Sequence, residues 1–186
     1  MGPSASRPCG INHVAVVTAD LDVYRAFYED TIGLDTALVL AAGPGHGRQA
    51  IVFAGDVMLH VFEVADGGSP ASRTGSAMLE RGLLDHLGFT VRDEAALTEL
   101  RRRLMDVGAS SGDIRPLGWL LSVRYVDPDG FEGEVNCFNP RFDPSTLRDD
   151  EVIDPHWLER ARRALQATND NADHEHDQTT TGGDRS

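Results

Sequence analysis

Val14 and Val16 alternate with His13, Ala15 and Val17, the period of two expected of a strand with one covered face. Past Asp20, a residue suited to cap a helix, the apolar positions change to helical spacing at Leu21, Tyr24, Phe27 and Tyr28. Three runs rich in Val, Leu, Ile and Phe follow, at 34–42, 48–54 and 56–64, broken by Gly43-Pro44-Gly45-His46-Gly47 and by Gly55-Asp56, and these predict strands. The same order then returns. Leu84 to Phe89 reads as a strand, and Asp93 caps a helix with the stripe Leu97, Leu100, Leu104 and Val107, ending at Gly108. A weak strand at 111–115 and stronger ones at 119–126 and 131–138 complete the second half.

Each half is thus β-α-β-β-β. Ile11 to Asp20 aligns with Leu84 to Asp93 at an offset of 73 residues, matching His13 to His86 and Asp20 to Asp93. One half alone would expose a sheet face, so the pattern predicts an α+β fold of two tandem βαβββ modules, 10–65 and 82–138, within one domain spanning 10–138. Residues 66–81, rich in Gly, Ser, Pro and Arg, form the linker, and 1–9 a flexible arm. Residues 139–167 read as a C-terminal extension whose short helix, 155–167, carries Trp157, Leu158 and Leu165 and packs on the outer surface. The alternative is a lid or a dimer arm, the second of which would make the protein a homodimer. Residues 168–186 lack apolar side chains beyond Ala172 and predict a disordered acidic tail, with His174 and His176 solvated in it.

Asp127-Pro128-Asp129-Gly130 joins the last two strands. Pro128 fixes φ and Gly130 supplies a positive φ, so these residues read as a tight turn. Beyond it Glu134 lies inside an apolar strand, where an unpaired carboxylate is costly. A metal ion or a buried partner would offset that cost. His13 and His86 each share a strand face with a small residue, Ala15 and Gly88, which leaves space beside the imidazole. His60 lies 47 residues after His13, and Glu134 lies 48 after His86, so four potential ligands occupy equivalent places in the two halves. Glu132 shares the face of Glu134 and is a rival, with the turn-to-ligand spacing favouring Glu134. Arg48 and Arg124 lie on strands that could bear the same face, though solvent exposure is the expected fate of each.

The formal net charge of -13 excludes nucleic acid and anionic membrane as partners, since both would be repelled. No apolar run approaches the roughly 20 residues of a spanning helix, and the leading residues carry no signal-like apolar core, so a cytoplasmic protein is expected. Cys9 and Cys137 are too few for a disulfide framework and read as reduced thiols.

The chain resembles the vicinal oxygen chelate superfamily, which includes glyoxalase I, methylmalonyl-CoA epimerase, extradiol ring-cleaving dioxygenases and fosfomycin-resistance proteins. The resemblance rests on Ile11-Asn12-His13-Val14-Ala15-Val16, on Asp85-His86-Leu87-Gly88-Phe89, and on Asp127-Pro128-Asp129-Gly130 followed four residues later by Glu134. It implies a cup lined by both halves, with one divalent ion, Zn, Fe, Mn, Co or Ni, held by His13, His60, His86 and Glu134. Family members place Glu, Gln or His at the position of His60. The implied activity is that of a metal-dependent lyase or isomerase on a small substrate chelated through neighbouring oxygens, by way of an enolate, with Glu134, Glu132 or a displaced His60 as the group to transfer the proton. An Fe(II) dioxygenase and a small-molecule binding or resistance protein are the alternatives. A fourth ligand at His60 counts against the first of these, and the absence of any lysine counts against a fosfomycin-type anion site.

Overall fold

A computed structural model describes residues 10–64, 84–143 and His156. The expected arm 1–9, linker 66–81, C-terminal helix (His156 apart) and tail 168–186 lie outside the described residues. Two compact units are present: one takes residues up to 85 together with 126–132, the other 86–125 together with residues from 133 onward. Among the described residues no helix is long and apolar enough to cross a membrane.

The first unit contains β1 (His13–Thr18), α1 (Leu21–Ala26), β2 (Asp35–Leu40), β3 (Gln49–Ala54) and β4 (Val57–Glu63). Its sheet runs β1-β4-β3-β2, with β1 parallel to β4 and the other pairs antiparallel. Asp20 caps α1 by accepting from the amides of Asp22 and Val23. Leu21, Tyr24, Tyr28 and Ile32 are buried with Ala50, Val52, Leu59 and Val61. The single helical period expected over Leu21 to Tyr28 is incomplete as a description. After Ala26 the helix widens into a π-helical stretch, Phe27–Ile32, closed by the bond from Gly33 N to Tyr28 O. Tyr24 and Tyr28 stay in the core, with ring centroids 4.3 Å apart.

Arg48 is not the solvent-exposed side chain expected. It donates to both oxygens of Glu63 and both of Asp22, and Glu63 Oε1 also accepts from Leu21 N, so one arginine ties the start of α1 to the ends of β3 and β4. The hydrogen bonds from Arg48, helped by the Leu21 amide, hold the Glu63 carboxyl down at about 2. A depressed carboxyl contributes stability above its unfolded pKa of about 4.3 and loses it as the pH falls through the folded value. Melting temperature followed from pH 6 to pH 2 should therefore fall more steeply in the wild type than in Glu63→Gln. Parallel curves would show that the pair adds nothing.

The hairpin turn 126–132 groups with the first unit through Asp127. Its Oδ1 accepts from the amides of Asp129 and Phe131, its Oδ2 accepts from Tyr28 OH at 3.1 Å, and Asp129 Oδ1 accepts from Ala19 N. Burial pushes the Asp127 carboxyl up, against the bonds it accepts, so its own contribution falls as the pH rises through that raised value, opposite to Glu63. Asp127→Ala orphans buried donors and should cost about 2 to 4 kcal/mol in urea unfolding at pH 7, whereas Asp127→Asn, which keeps an acceptor for the turn amides, should lose less than half of that. Equal losses in the two variants would show that the hydrogen bonds are not what matters.

The second unit repeats the plan with β5 (Leu87–Thr90), α2 (Glu94–Asp106), β6 (Ile114–Leu117), β7 (Leu120–Val126) and β8 (Glu132–Phe138), ordered β5-β8-β7-β6. Asp93 caps α2, whose Leu97, Leu100 and Leu104 are buried together with Leu121, Val123, Tyr125, Val135 and Cys137. β6 starts later than the strand expected at 111–115. Ser110 Oγ donates to Arg124 O and accepts from Gly112 N, which keeps this stretch a loop. With two βαβββ modules, each a four-stranded mixed sheet with its helix, the chain has the α+β architecture expected.

Candidate functional site

In the first unit Ala15 stands beside His60 in the parallel β1/β4 ladder. Paired residues of a ladder share a face, and so do residues two apart in a strand, so His13, Ala15 and His60 lie on one face. Leu59 and Val61 face the helix instead and are buried with it. The imidazoles of His13 and His60 are edge to face, with centroids 6.5 Å apart. His13 Nδ1 is 2.7 Å from Asn12 Oδ1, and His60 Nε2 is 3.0 Å from Gln49 Oε1. With each carboxamide oxygen as acceptor, these ring nitrogens carry the hydrogen, which leaves the lone pair on His13 Nε2 and on His60 Nδ1. Phe62 packs its ring against that of His60 at 4.1 Å.

The second unit repeats this register. Gly88 stands beside Glu134 in the parallel β5/β8 ladder, as Ala15 stands beside His60, and His86 directly precedes β5. His86 Nε2 lies 3.8 Å from Glu134 Oε2. The other oxygen, Oε1, accepts from Arg124 Nε at 3.0 Å, and the Glu134 side chain is only 7% exposed. The exposed fate expected for Arg124 is thus replaced by an ion pair with the carboxylate that needed a partner. The signal was present in the sequence, because the turn that closes with Asp127 N bonded to Phe131 O sets Arg124 across the hairpin from Glu134. Glu132, the rival carboxylate, is exposed.

The small residue at position 88 has a more specific reason than open space. A Cβ there would come within 3.0 Å of the Asn136 amide nitrogen. Asn136 is buried on the same face as Glu134, and among the described residues neither its Oδ1 nor Ser122 Oγ on β7 has a hydrogen-bond partner. Within the described residues the face therefore carries buried polar groups left without a hydrogen bond. Cys137 points the other way, into the core. Burial, followed by the charges of Glu94 and Asp93, pushes its thiol up to about 11, so it is neither nucleophile nor ready ligand at neutral pH.

Among the described residues no three His, Cys, Asp or Glu side chains gather in a group that would hold a metal ion. The four candidate ligands stand as two pairs, one in each unit: His13 with His60, and His86 with Glu134. Their chemistry nonetheless fits a first-row divalent ion, since imidazole nitrogens and a carboxylate are the donors such ions prefer.

Residues 10–135 match the family described as "Glyoxalase/Bleomycin resistance protein/Dioxygenase superfamily". Among solved structures, the chain is similar to a glyoxylase/bleomycin resistance protein/dioxygenase domain from Frankia sp. EAN1pec, with 22% identity, 73% of this chain and 96% of that one covered, and a TM-score of 0.59. It is similar to a lactoylglutathione lyase from Agrobacterium tumefaciens, with 27% identity, 70% and 95% covered, and a TM-score of 0.50. A glyoxalase/dioxygenase from Nostoc punctiforme is 20% identical, with 75% and 96% covered and a TM-score of 0.58. No curated protein matches the chain.

Proposed function

The chain belongs to the glyoxalase/bleomycin resistance protein/dioxygenase superfamily, and from that premise we propose that it is a divalent-metal-dependent lyase or isomerase acting on a small substrate that offers two neighbouring oxygens. The observation that carries this reading is the repeated register, Ala15 beside His60 and Gly88 beside Glu134, with His13 and His86 each two residues from the small partner. Two modules that had kept only their fold would have no reason to retain a donor pair at the same register in each. The similarity to a lactoylglutathione lyase, at 27% identity, supports the same class.

In this reading His13, His60, His86 and Glu134 would hold the ion, and the ion would supply a Lewis acid toward a chelated substrate oxygen. Asn12 and Gln49 contribute by fixing which ring nitrogen of His13 and of His60 carries the hydrogen. Proton transfer at a substrate carbon falls to Glu134 or His60, the carboxylate and imidazole already placed on the donor faces. Two further features weigh against the other classes. His60 is a donor beyond the three that an Fe(II) dioxygenase needs, and the chain has no lysine with which to build a fosfomycin-type anion site.

The test is elemental analysis of the purified full chain. It should be followed by turnover assays, with the metal found, on hemithioacetals of 2-oxoaldehydes, on 2-branched acyl thioesters and, with an oxygen electrode, on catechols. A proton-transfer product without O₂ uptake is the expected outcome. Consumption of O₂ with catechols would replace the reading with ring cleavage.

A further inference from the structure

Glu134 already has a cation. Arg124 Nε donates to its Oε1 at 3.0 Å across the β7/β8 hairpin, and the carboxylate is nearly fully buried. The pair therefore meets the need of a buried charge for a partner without any metal. We propose that Arg124 is a built-in counter-ion that competes with a divalent ion for Glu134 and sets how tightly the chain holds its metal. This rests on the metal-site reading above.

Two effects of Arg124 oppose each other, and their sizes decide the sign. Its hydrogen bond restrains the glutamate, which helps a donor that would otherwise lose side-chain freedom on binding a metal; that gain is bounded by the rotamer entropy of one side chain. Against it stands the repulsion between a unit positive charge and a doubly charged ion sharing one carboxylate. At the effective dielectric of about 20 typical of protein sites, this repulsion across one shared carboxylate exceeds the entropy of one rotamer. Removing the charge also leaves Glu134 buried without its counter-ion in the metal-free protein, which raises the gain on binding a metal. Arg124 thus weakens metal retention. It leaves the bound centre more positive than three imidazoles and a carboxylate alone would make it.

The experiment is a chelator-competition titration of Zn²⁺ into the metal-free full chain. Arg124→Gln can keep a hydrogen bond to Glu134 while dropping the charge, and Arg124→Lys keeps the charge. Arg124→Ala is a second neutral variant in case the glutamine form fails to fold, with melting temperature as the check. The neutral variants should bind Zn²⁺ at least about tenfold more tightly than the wild type, and the lysine form within about threefold of it. A Co²⁺ absorption spectrum of the same band pattern in wild type and Arg124→Gln would show that the ligand set is unchanged and that charge is what moved the affinity. A wild type that binds while the neutral variants bind no more tightly overturns the counter-ion proposal and leaves the metal site standing. If neither the wild type nor the neutral variants bind Zn²⁺ or Co²⁺ at millimolar concentration, the metal-site reading falls and the proposal falls with it.

Discussion

Glu134→Ala should leave the chain unable to bind a divalent ion in stoichiometric amount, where the wild type, reconstituted with excess metal, takes up about one per chain. Glu134 is the only negative donor in the proposed set, and its removal leaves the positive charge of Arg124 in the same sheet face. Loss of a residue that merely supports a ligand typically costs 10- to 100-fold in metal affinity, so loss of this ligand should exceed roughly 100-fold. His13→Ala and His86→Ala should abolish stoichiometric binding as well, because each removes an imidazole from a different pair. Glu134→Gln controls for misfolding, since it keeps the shape and an acceptor for Arg124. Metal content by elemental analysis after gel filtration decides the matter: full metal in any two of the alanine variants would refute the ligand assignment.

His60→Ala should behave differently, and the difference separates reaction classes. Position 60 is where the family accepts Glu, Gln or His, so this donor is the least demanding of the four, and affinity should fall by roughly 10- to 100-fold, the loss typical of a supporting residue, without being abolished. In a lyase or isomerase the fourth donor determines which coordination positions are left for the substrate, so turnover should drop about tenfold or more even at saturating metal, because a misplaced substrate loses its alignment. An oxygenase built on His13, His86 and Glu134 would tolerate the change, since three donors suffice for O₂ and substrate together. Gln49→Leu gives a graded companion: it removes the bond that holds His60 Nε2 and should reproduce a smaller part of the same loss. Unaltered turnover of metal-saturated His60→Ala together with O₂ uptake would assign the chain to the oxygenases.

Much of the fold could be read without coordinates because it is written in local periodicity. Val14 and Val16 against His13 and Ala15 specify a strand with one covered face. Leu97, Leu100 and Leu104 specify a helix stripe, and Asp20 and Asp93 cap the helices they precede. The π-helical stretch after Ala26 leaves no mark in the sequence, because a five-residue hydrogen-bond step has almost the same apolar spacing as a four-residue one over so short a segment. Nor does the sequence mark the start of β6, because a serine side chain bonded to the backbone holds the chain in a loop where the residue types alone allow a strand.

The equivalent placing of His60 and Glu134 was legible for a different reason. The internal repeat made His60 and Glu134 equivalent, and the ladders bear that out by placing each beside a small residue of the first strand of its own module. The sequence by itself therefore determined the two βαβββ modules, the strand faces and the equivalent places of His60 and Glu134, since all of these follow from alternation and repetition along one chain. That the Arg124 side chain turns onto Glu134 instead of into solvent, and that Arg48 is bound between Asp22 and Glu63, only the tertiary structure decided. Salt bridges join residues from different strands and helices at angles and depths that no linear pattern encodes, and a charged side chain that looks solvated in the sequence becomes a partner only when folding buries the opposite charge beside it.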